Sequence, residues 1–200
     1  MRRHNQIKND QQADKLIQTF VEEIFKFNKA HNIVGRFSEK EITSLDIRDC
    51  ETVLEHIKPS QKILDIGSGA GLPGLIIAIK KPLSEVTMSE KNKKKAYFIK
   101  KTIRTLQLTN ANITNESITP EFLTEHKFDV VTARALAPAK KIVNISQHLL
   151  TKSGKFLLMK GALEKINEEV AQLDNNTYSY TIHKTNIKDK SRHILEINKK

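Results

Sequence analysis

The chain of 200 residues is 38% hydrophobic, enough to fill the core of one domain, and its single cysteine excludes an internal disulfide. No apolar stretch approaches the roughly 18 residues of a membrane helix, and the N-terminal segment lacks the apolar run of a secretory signal, so we expect a cytosolic protein. The net charge of +11 favours a polyanionic partner over an acidic metabolite, although a lysine-rich proteome would also raise the charge.

The first 60 residues are predicted to form a helical extension packed on a core domain of residues 61–200. Residues 1–11 are polar and are expected to fray. From Ala13 onward the apolar residues follow the three-four spacing of one helical face, which predicts the first helix.

The second helix of the extension is predicted from its start signal. Ser38 and Glu41 have the spacing of a capping box, and a helix from there would end near Lys58, ahead of a proline. Its apolar face is interrupted by Asp46 and Asp49.

The segment Lys62–Leu75, with the sequence KILDIGSGAGLPGL, predicts a strand, a tight loop and a helix. Gly67, Gly69 and Gly71 can adopt positive φ and let a ligand lie against bare backbone, while Pro73 suits the first turn of a helix. This pattern predicts a nucleotide-type ligand site.

Two acidic residues bear on which ligand this site holds. Asp65, at the strand end before the glycines, would lie uncomfortably close to a pyrophosphate but would attract S-adenosylmethionine, which carries a sulfonium and an ammonium. Glu90, near the end of the next strand, can accept hydrogen bonds from ribose hydroxyls in either kind of site. A dinucleotide site stays open, because residues 69–74 match GxGxxG, but that match alone is weak.

Strand-like and helix-like segments alternate after the glycine loop, which predicts a parallel, doubly wound α/β sheet. The last two strands are adjacent in sequence and should pair as an antiparallel hairpin at one sheet edge, joined by a polar loop of residues 184–192. Seven strands ending in such a hairpin are typical of the Rossmann-like sheet of class I S-adenosylmethionine-dependent methyltransferases. The predicted strands are residues 62–66, 86–89, 111–115, 128–133, 155–160 (entered by a turn at Ser153-Gly154), 177–183 and 193–198, and the helices are 75–79, 91–108, 138–150 and 164–173.

Several motifs occur in the order and spacing of one family. The chain resembles the bacterial 16S ribosomal RNA guanine-N7 methyltransferases, the glucose-inhibited division protein B family, over nearly its whole length. The motifs are DIGSGAGLPGLIIAI (65–79), SEKNKKKAYFIK (89–100), VVTARALAP (130–138), LMKG (158–161) and RHILEI (192–197).

The resemblance implies a monomeric enzyme that transfers a methyl group from S-adenosylmethionine, leaving S-adenosylhomocysteine, to N7 of one guanine in the decoding-centre loop of 16S rRNA or the small ribosomal subunit. The histidines occur singly, with no pairing typical of metal ligands, so no metal is expected, and no membrane contact is expected either. The residues expected at the donor are Asp65, Gly67, Gly69, Leu72, Glu90, Ile118, Thr119 and Arg134. The residues expected at the RNA are Lys93, Lys94, Lys95, Lys100, Lys101, Lys160, Arg192 and His193.

Methyl transfer to guanine N7 requires that donor and acceptor are correctly positioned, and it requires no proton transfer. N7 of guanine carries a lone pair and no proton at neutral pH, so no general base is expected, and Arg134 is the candidate that orients donor and acceptor. Two segments depart from the family pattern, LDIRDCE (45–51) and NESITP (115–120). A methyltransferase with another acceptor, or an RNA-binding homologue with weakened catalysis, therefore stays open.

Overall fold

A seven-stranded sheet forms the centre of the computed structural model, which describes residues 2–185, 187 and 191–200. Within these residues the strand order is β3-β2-β1-β4-β5-β7-β6, with β7 antiparallel to both of its neighbours and the other pairs parallel. The predicted mostly parallel sheet with a terminal antiparallel hairpin is confirmed. The strands are β1 (Lys62–Ile66), β2 (Glu85–Ser89), β3 (Ala111–Thr114), β4 (Phe128–Arg134), β5 (Leu150–Lys160), β6 (Tyr178–Lys184) and β7 (His193–Lys199).

Helices cover both faces of the sheet, and alternate residues of each central strand enter two different hydrophobic clusters. On β1, Ile63 joins the cluster on the face covered by the N-terminal helices, while Leu64 and Ile66 join the opposite one. This alternation is what a strand buried on both faces requires. The helices are α1 (Arg2–His31), α2 (Glu39–Glu41), α3 (Arg48–Glu51), α4 (Gly74–Lys80), α5 (Lys93–Thr105), α6 (Ala139–Ser146) and α7 (Leu163–Val170).

The first helix begins at Arg2, earlier than the predicted start at Ala13, so the expectation of a frayed segment there is wrong. The residues before Ala13 contain no Gly or Pro and are mostly good helix formers, so the helix extends through them. Salt bridges of Lys80 with Asp14 (2.7 Å) and of Lys101 with Glu23 (2.5 Å) tie α1 to α4 and α5. Among the helices of the described residues, none combines the length and apolar character needed to cross a bilayer.

The second helical segment, residues 39–56, starts as predicted. The Ser38 hydroxyl accepts from the backbone N–H of Glu41, and the Glu41 carboxylate accepts from the N–H of Phe37. The segment is not one regular α-helix, because α2 passes into a π-helical turn over Ile42–Ile47, then into α3, and ends in a 3₁₀ turn, Thr52–His56. Such widened turns are frequent at functional sites.

The predicted turn at Ser153-Gly154 is wrong, because β5 already begins at Leu150 and runs through both residues. Between the paired positions Phe128↔Leu150 and Val130↔Lys155, the strand register shifts, so β5 carries extra residues in a bulge. A Ser-Gly pair predicts a turn from sequence, whereas here Gly154 lies in the strand, where a Cβ would be 2.9 Å from the Phe128 carbonyl oxygen. The predicted loop of residues 184–192 joins β6 and β7, but its residues 186 and 188–190 lie outside the described part of the chain.

Candidate functional site

The glycine loop follows β1 at the carboxyl edge of the sheet. Gly67, Gly69 and Gly71 all adopt positive φ (69°, 59° and 86°), and the N–H groups of Gly67 and Ser68 both donate to the Ser89 carbonyl oxygen at the end of β2. A Cβ on Gly67 would lie 2.6 Å from a Leu136 methyl group, whereas one on Gly69 would meet nothing closer than 4.0 Å. The loop is therefore packed tightly at its start and open at Gly69, where a ligand can approach the backbone.

Asp65 lies directly beneath this loop and is completely buried. One carboxylate oxygen, Oδ2, accepts from the Gly74 N–H at 2.9 Å and so satisfies a donor at the start of α4. Among the described residues, the other oxygen, Oδ1, has no hydrogen-bond partner. Burial raises the pKa of Asp65 to about 6, although the Gly74 N–H and the charge of Arg134 act in the opposite direction.

Glu90 holds the glycine loop from the end of β2. Its carboxylate accepts from the Gly69 N–H at 2.9 Å and from the Asn92 N–H at 2.7 Å, and the residue is 7% exposed. Of the predicted adenine-side pair, Ile118 is buried in the second hydrophobic cluster, and Thr119 is exposed.

A cleft of about 740 Å³ opens above the glycine loop. The candidate donor and RNA residues in its wall are Gly67, Gly69, Leu72, Arg134, Lys160 and Arg192. Across the part of the chain that the structure describes, Asp65, Glu90, Ile118 and Thr119 are not in this wall. The wall also contains Arg36, Asp46, Asp49 and Glu169, which the sequence did not single out as site residues.

Asp46 is the centre of an ionic cluster at the cleft. Its carboxylate accepts from Arg36 Nε (2.7 Å) and Nη2 (3.1 Å) and from Arg134 Nη1 (2.9 Å), and the side chain is 4% exposed. Charge-assisted hydrogen bonds of this kind are the strong ones. Because Asp46 lies on the π-helical turn of the N-terminal extension and Arg134 ends β4, this contact joins the extension to the sheet.

Asp49, one helical turn further on, is held much more loosely. Its carboxylate lies 3.6 Å from Arg134 Nη1 and 3.5 Å from Arg192 Nε, which are ion-pair contacts rather than short hydrogen bonds. Burial raises the pKa of Asp49 above its usual range, more than the two arginines lower it.

Lys160 and His193 are engaged by the protein itself. The Lys160 ammonium donates to Glu169 Oε2 (2.7 Å) and to the Ala137 carbonyl (2.9 Å), and the same glutamate oxygen accepts from the Ala139 N–H. His193 is 6% exposed, with Nδ1 2.7 Å from the Gly161 carbonyl oxygen. These contacts hold the loop after β4 and the start of the last strand.

The lysines of α5 that were predicted to contact RNA differ in their exposure to solvent. Lys93, Lys94 and Lys100 are exposed, whereas Lys95 and Lys101 are half-buried. Tyr97, one turn from these lysines, is 64% exposed, and the neighbouring Phe98 is fully buried in the core. The outer face of α5 therefore presents several positive charges around one aromatic ring.

A second polar cluster lies away from the cleft and was not visible in the sequence, where no metal site was predicted. His56, His183 and Glu196 bring their ligand-type atoms within 4.8 Å of one another. The Lys155 ammonium already lies 3.2 Å from Glu196 Oε2, so a metal ion there would have to displace it.

Asp46 and Asp49 were not predicted as site residues, because in the sequence they appear as breaks in an apolar helical face. Two signals were available: two acids on an otherwise buried face require partners, and both lie in the segment LDIRDCE (45–51), which departs from the family pattern. Arg36 and Glu169 carried no signal, because single charged residues in such segments are usually solvated.

The residues around the loop fit a cationic methyl donor. Two carboxylates, Asp65 and Glu90, lie behind the loop, and the backbone is open at Gly69. One buried oxygen of Asp65 has no hydrogen-bond partner within the described residues. A pyrophosphate would meet two negative charges here, so the dinucleotide alternative fits less well.

Comparison with protein families places residues 13–197 in one family model, GidB, described as rRNA small subunit methyltransferase G. A "Ribosomal RNA small subunit methyltransferase G" from Brachyspira hyodysenteriae is 35% identical, over 96% of this chain and 94% of the relative. One from Psychrobacter is 34% identical, over 94% of this chain and 84% of the relative.

Solved structures of methyltransferases share the fold at low sequence identity. A precorrin-6y C5,15-methyltransferase from Geobacter metallireducens matches with a TM-score of 0.58 and 16% identity, over 76% of this chain and 86% of that one. A Streptococcus mutans protein described as a methyltransferase, in complex with SAH, matches with a TM-score of 0.55 and 12% identity, over 76% of this chain and 96% of that one. The predicted class I methyltransferase fold is confirmed.

Proposed function

This chain belongs to the rRNA small subunit methyltransferase G family, and from that premise we propose that it methylates N7 of one guanine in the decoding-centre loop of small-subunit rRNA, using S-adenosylmethionine. The observation that carries the proposal is the cleft in which the open glycine loop and an arginine cluster share one wall. The family assigns the reaction class, and a cleft of about 740 Å³ would accommodate a methyl donor and a base together.

The donor would lie along the glycine loop. Its sulfonium supplies an electrophilic methyl group. Gly67, Gly69 and Leu72 would contact the donor from the cleft wall, and the open backbone at Gly69 would allow the closest approach. Glu90 would accept from the ribose hydroxyls and Asp65 would act through its negative charge, while Ile118 and Thr119 would lie towards the adenine.

The acceptor nitrogen needs orientation and no proton removal. The lone pair of guanine N7 forms the new N–C bond, the bond between methyl carbon and sulfur breaks, and the electron pair stays on sulfur, so no base is needed. Arg134, held by Asp46, would donate to the carboxylate of the donor or to guanine O6, beside N7. Correct placement of the two reactants supplies up to about 7 to 11 kcal/mol in the best cases.

The exposed lysines of α5 would contact the rRNA backbone. Lys93, Lys94 and Lys100 present their charges to solvent beside Tyr97, in a chain of net charge +11. Lys95, Lys101, Lys160, Arg192 and His193 complete the proposed RNA side. Lys160 and His193 would act mainly by holding the loops that the RNA meets, since both are hydrogen-bonded within the protein.

The extension of residues 1–60 and the domain of residues 61–200 would work as one unit. Asp46 of the extension binds Arg134 of the sheet, so the proposed positioning residue depends on both. Removal of the extension would leave Arg134 without its hydrogen-bond acceptor.

The experiment is transfer of labelled methyl from S-adenosylmethionine to small-subunit rRNA, naked and in particles, that lacks its native modification. Label should appear at a single decoding-centre guanine, mapped by cleavage at 7-methylguanine, and Arg134→Ala should lose most of it. Arg48→Ala is the matched control, because Arg48 is an exposed arginine next to Asp49 and should keep wild-type activity.

Other outcomes separate the alternatives. Binding of S-adenosylhomocysteine with no transfer to either rRNA substrate would indicate an RNA-binding homologue that has lost catalysis. Transfer to a different acceptor in a ribosome-free extract would indicate another methyltransferase.

A further inference from the structure

Three acidic side chains line the cleft in the described residues, namely Asp46, Asp49 and Glu169, and they differ in how far the protein satisfies them. Asp46 accepts three hydrogen bonds from Arg36 and Arg134 at 2.7 to 3.1 Å. Glu169 Oε2 accepts from Lys160 and from a backbone N–H, both at 2.7 Å. Asp46 and Glu169 therefore have structural partners already.

Asp49 is the exception. It is 6% exposed, yet its nearest cationic atoms are 3.5 and 3.6 Å away, on Arg192 and Arg134. A largely buried carboxylate normally accepts several short hydrogen bonds, since leaving acceptors unsatisfied costs about 1 to 3 kcal/mol or more. Asp49 thus keeps acceptor capacity that faces the cleft.

Guanine offers donors that match this capacity. Along its Watson–Crick edge the base carries the O6 acceptor, the N1–H donor and the N2 amino donor in that order, and adenine presents an acceptor at N1. Enzymes that act on an extruded base read it by hydrogen bonds to this edge. A carboxylate accepts from N1–H and N2–H together and rejects adenine, because the adenine N1 lone pair would face a negative charge.

We propose that Asp49 and Arg134 together read the target base, with the Asp49 carboxylate accepting from N1–H and the N2 amino group and Arg134 donating to O6. The two side chains lie 3.6 Å apart, so a donor and an acceptor stand side by side as the guanine edge requires. This assignment rests on the proposed function. Asp49 becomes the residue that selects guanine, while Asp46 positions Arg134.

The test combines substitution of Asp49 with removal of the N2 amino group from the target base. Small-subunit rRNA is assembled from two pieces so that the target guanosine can be replaced by inosine, which lacks only the N2 amino group. For the wild-type protein we expect kcat/KM for guanosine to exceed that for inosine by roughly 10- to 100-fold, the range of a hydrogen bond to a charged group. In Asp49→Asn and Asp49→Ala this ratio should fall to about 1 to 3.

Asp46→Asn is the matched control. It weakens the support of Arg134, so methylation of guanosine and inosine should decline by the same factor and the wild-type ratio should persist. Binding of S-adenosylhomocysteine, measured by calorimetry, identifies any variant that has not folded. Asp49→Glu, which keeps the charge, serves as the second variant if Asp49→Asn fails that check, and it should retain a preference for guanosine.

The outcomes distinguish this inference from the proposed function. If wild type methylates the target guanosine but its guanosine-to-inosine ratio is the same in Asp49→Asn and Asp49→Ala, Asp49 does not read the base and the inference is overturned. If wild type discriminates less than about twofold, the N2 amino group is not read and the inference is overturned as well. If wild type methylates no rRNA, the proposed function itself fails.

Discussion

The unfolding free energy of Asp65→Asn, compared with that of wild type, should be higher at neutral pH than at acid pH. Burial raises the pKa of this carboxyl from 3.8 to about 6 in the folded protein. Between these values the folded state binds more protons than the unfolded state, so the stability of wild type falls as the pH rises through that window. The asparagine side chain does not titrate and removes this dependence, while its carbonyl can still accept from the Gly74 N–H.

The size of the effect follows from the two pKa values. A difference of about two pH units corresponds to about 3 kcal/mol at about 1.4 kcal/mol for each unit. Because the carboxyl of the unfolded chain is already partly ionised at pH 4, the unfolding free energy of Asp65→Asn minus that of wild type should rise by about 2.4 kcal/mol between about pH 4 and pH 7. Any constant cost of the amide group adds the same amount at every pH and leaves the slope unchanged.

Urea denaturation of both proteins across this pH range measures the difference, because all other titrating groups are shared and cancel. Asp174→Asn provides a control of opposite sign. Hydrogen bonds from Thr177 and Asn176 lower the pKa of the exposed Asp174, so its contribution to stability is lost as the pH falls. A free-energy difference for Asp65→Asn that stays constant within about 0.5 kcal/mol would refute the reasoning, since Asp65 would then titrate as in the unfolded chain.

Three further outcomes are expected. Gly74→Ala should lower the unfolding free energy by about 1 to 3 kcal/mol, because its Cβ would lie 2.5 Å from Met88 Cγ. Gly35→Ala, whose Cβ would have no neighbour within 4 Å in the described part of the chain, should be neutral in the same urea experiment. Raising the pH from about 5 to 7 ionises Asp65, and its negative charge attracts the sulfonium that only S-adenosylmethionine carries. Calorimetry should therefore show a larger gain in affinity for S-adenosylmethionine than for S-adenosylhomocysteine. Equal gains would argue against an electrostatic role of Asp65 at the donor. The double variant Lys93→Ala/Lys94→Ala should reduce the slope of log K for rRNA against log salt by about 1.5, and an unchanged slope would remove α5 from the RNA interface.

Local signals were sufficient for most of the fold. In β1, the glycine loop and α4, the apolar runs and glycines predict a strand, a tight turn and a helix from neighbouring residues alone. The structure has these three elements at the predicted places. The elements that deviate do so where packing overrides local preference. The turn expected at Ser153-Gly154 became a strand with a bulge, because pairing with β4 recruits the residues before Lys155.

The candidate site was only partly accessible from sequence. The glycine loop could be predicted from its own residues, and Arg134 from the family resemblance and its place just after a strand. The roles of Asp46 and Asp49 could not, because in the sequence they merely interrupt an apolar face. They are buried beside arginines from three different segments, and only the folded chain brings these segments together.

Periodicity and glycine placement act over a few residues, so the sheet, its hairpin and the position of the glycine loop can be predicted from the sequence. Which charged side chains meet depends on how distant segments pack. Arg36 and Arg134 lie 10 and 88 positions from Asp46 in the chain, yet both bind its carboxylate. Electrostatic pairing depends on distance and burial in space, and neither is encoded by neighbouring residues.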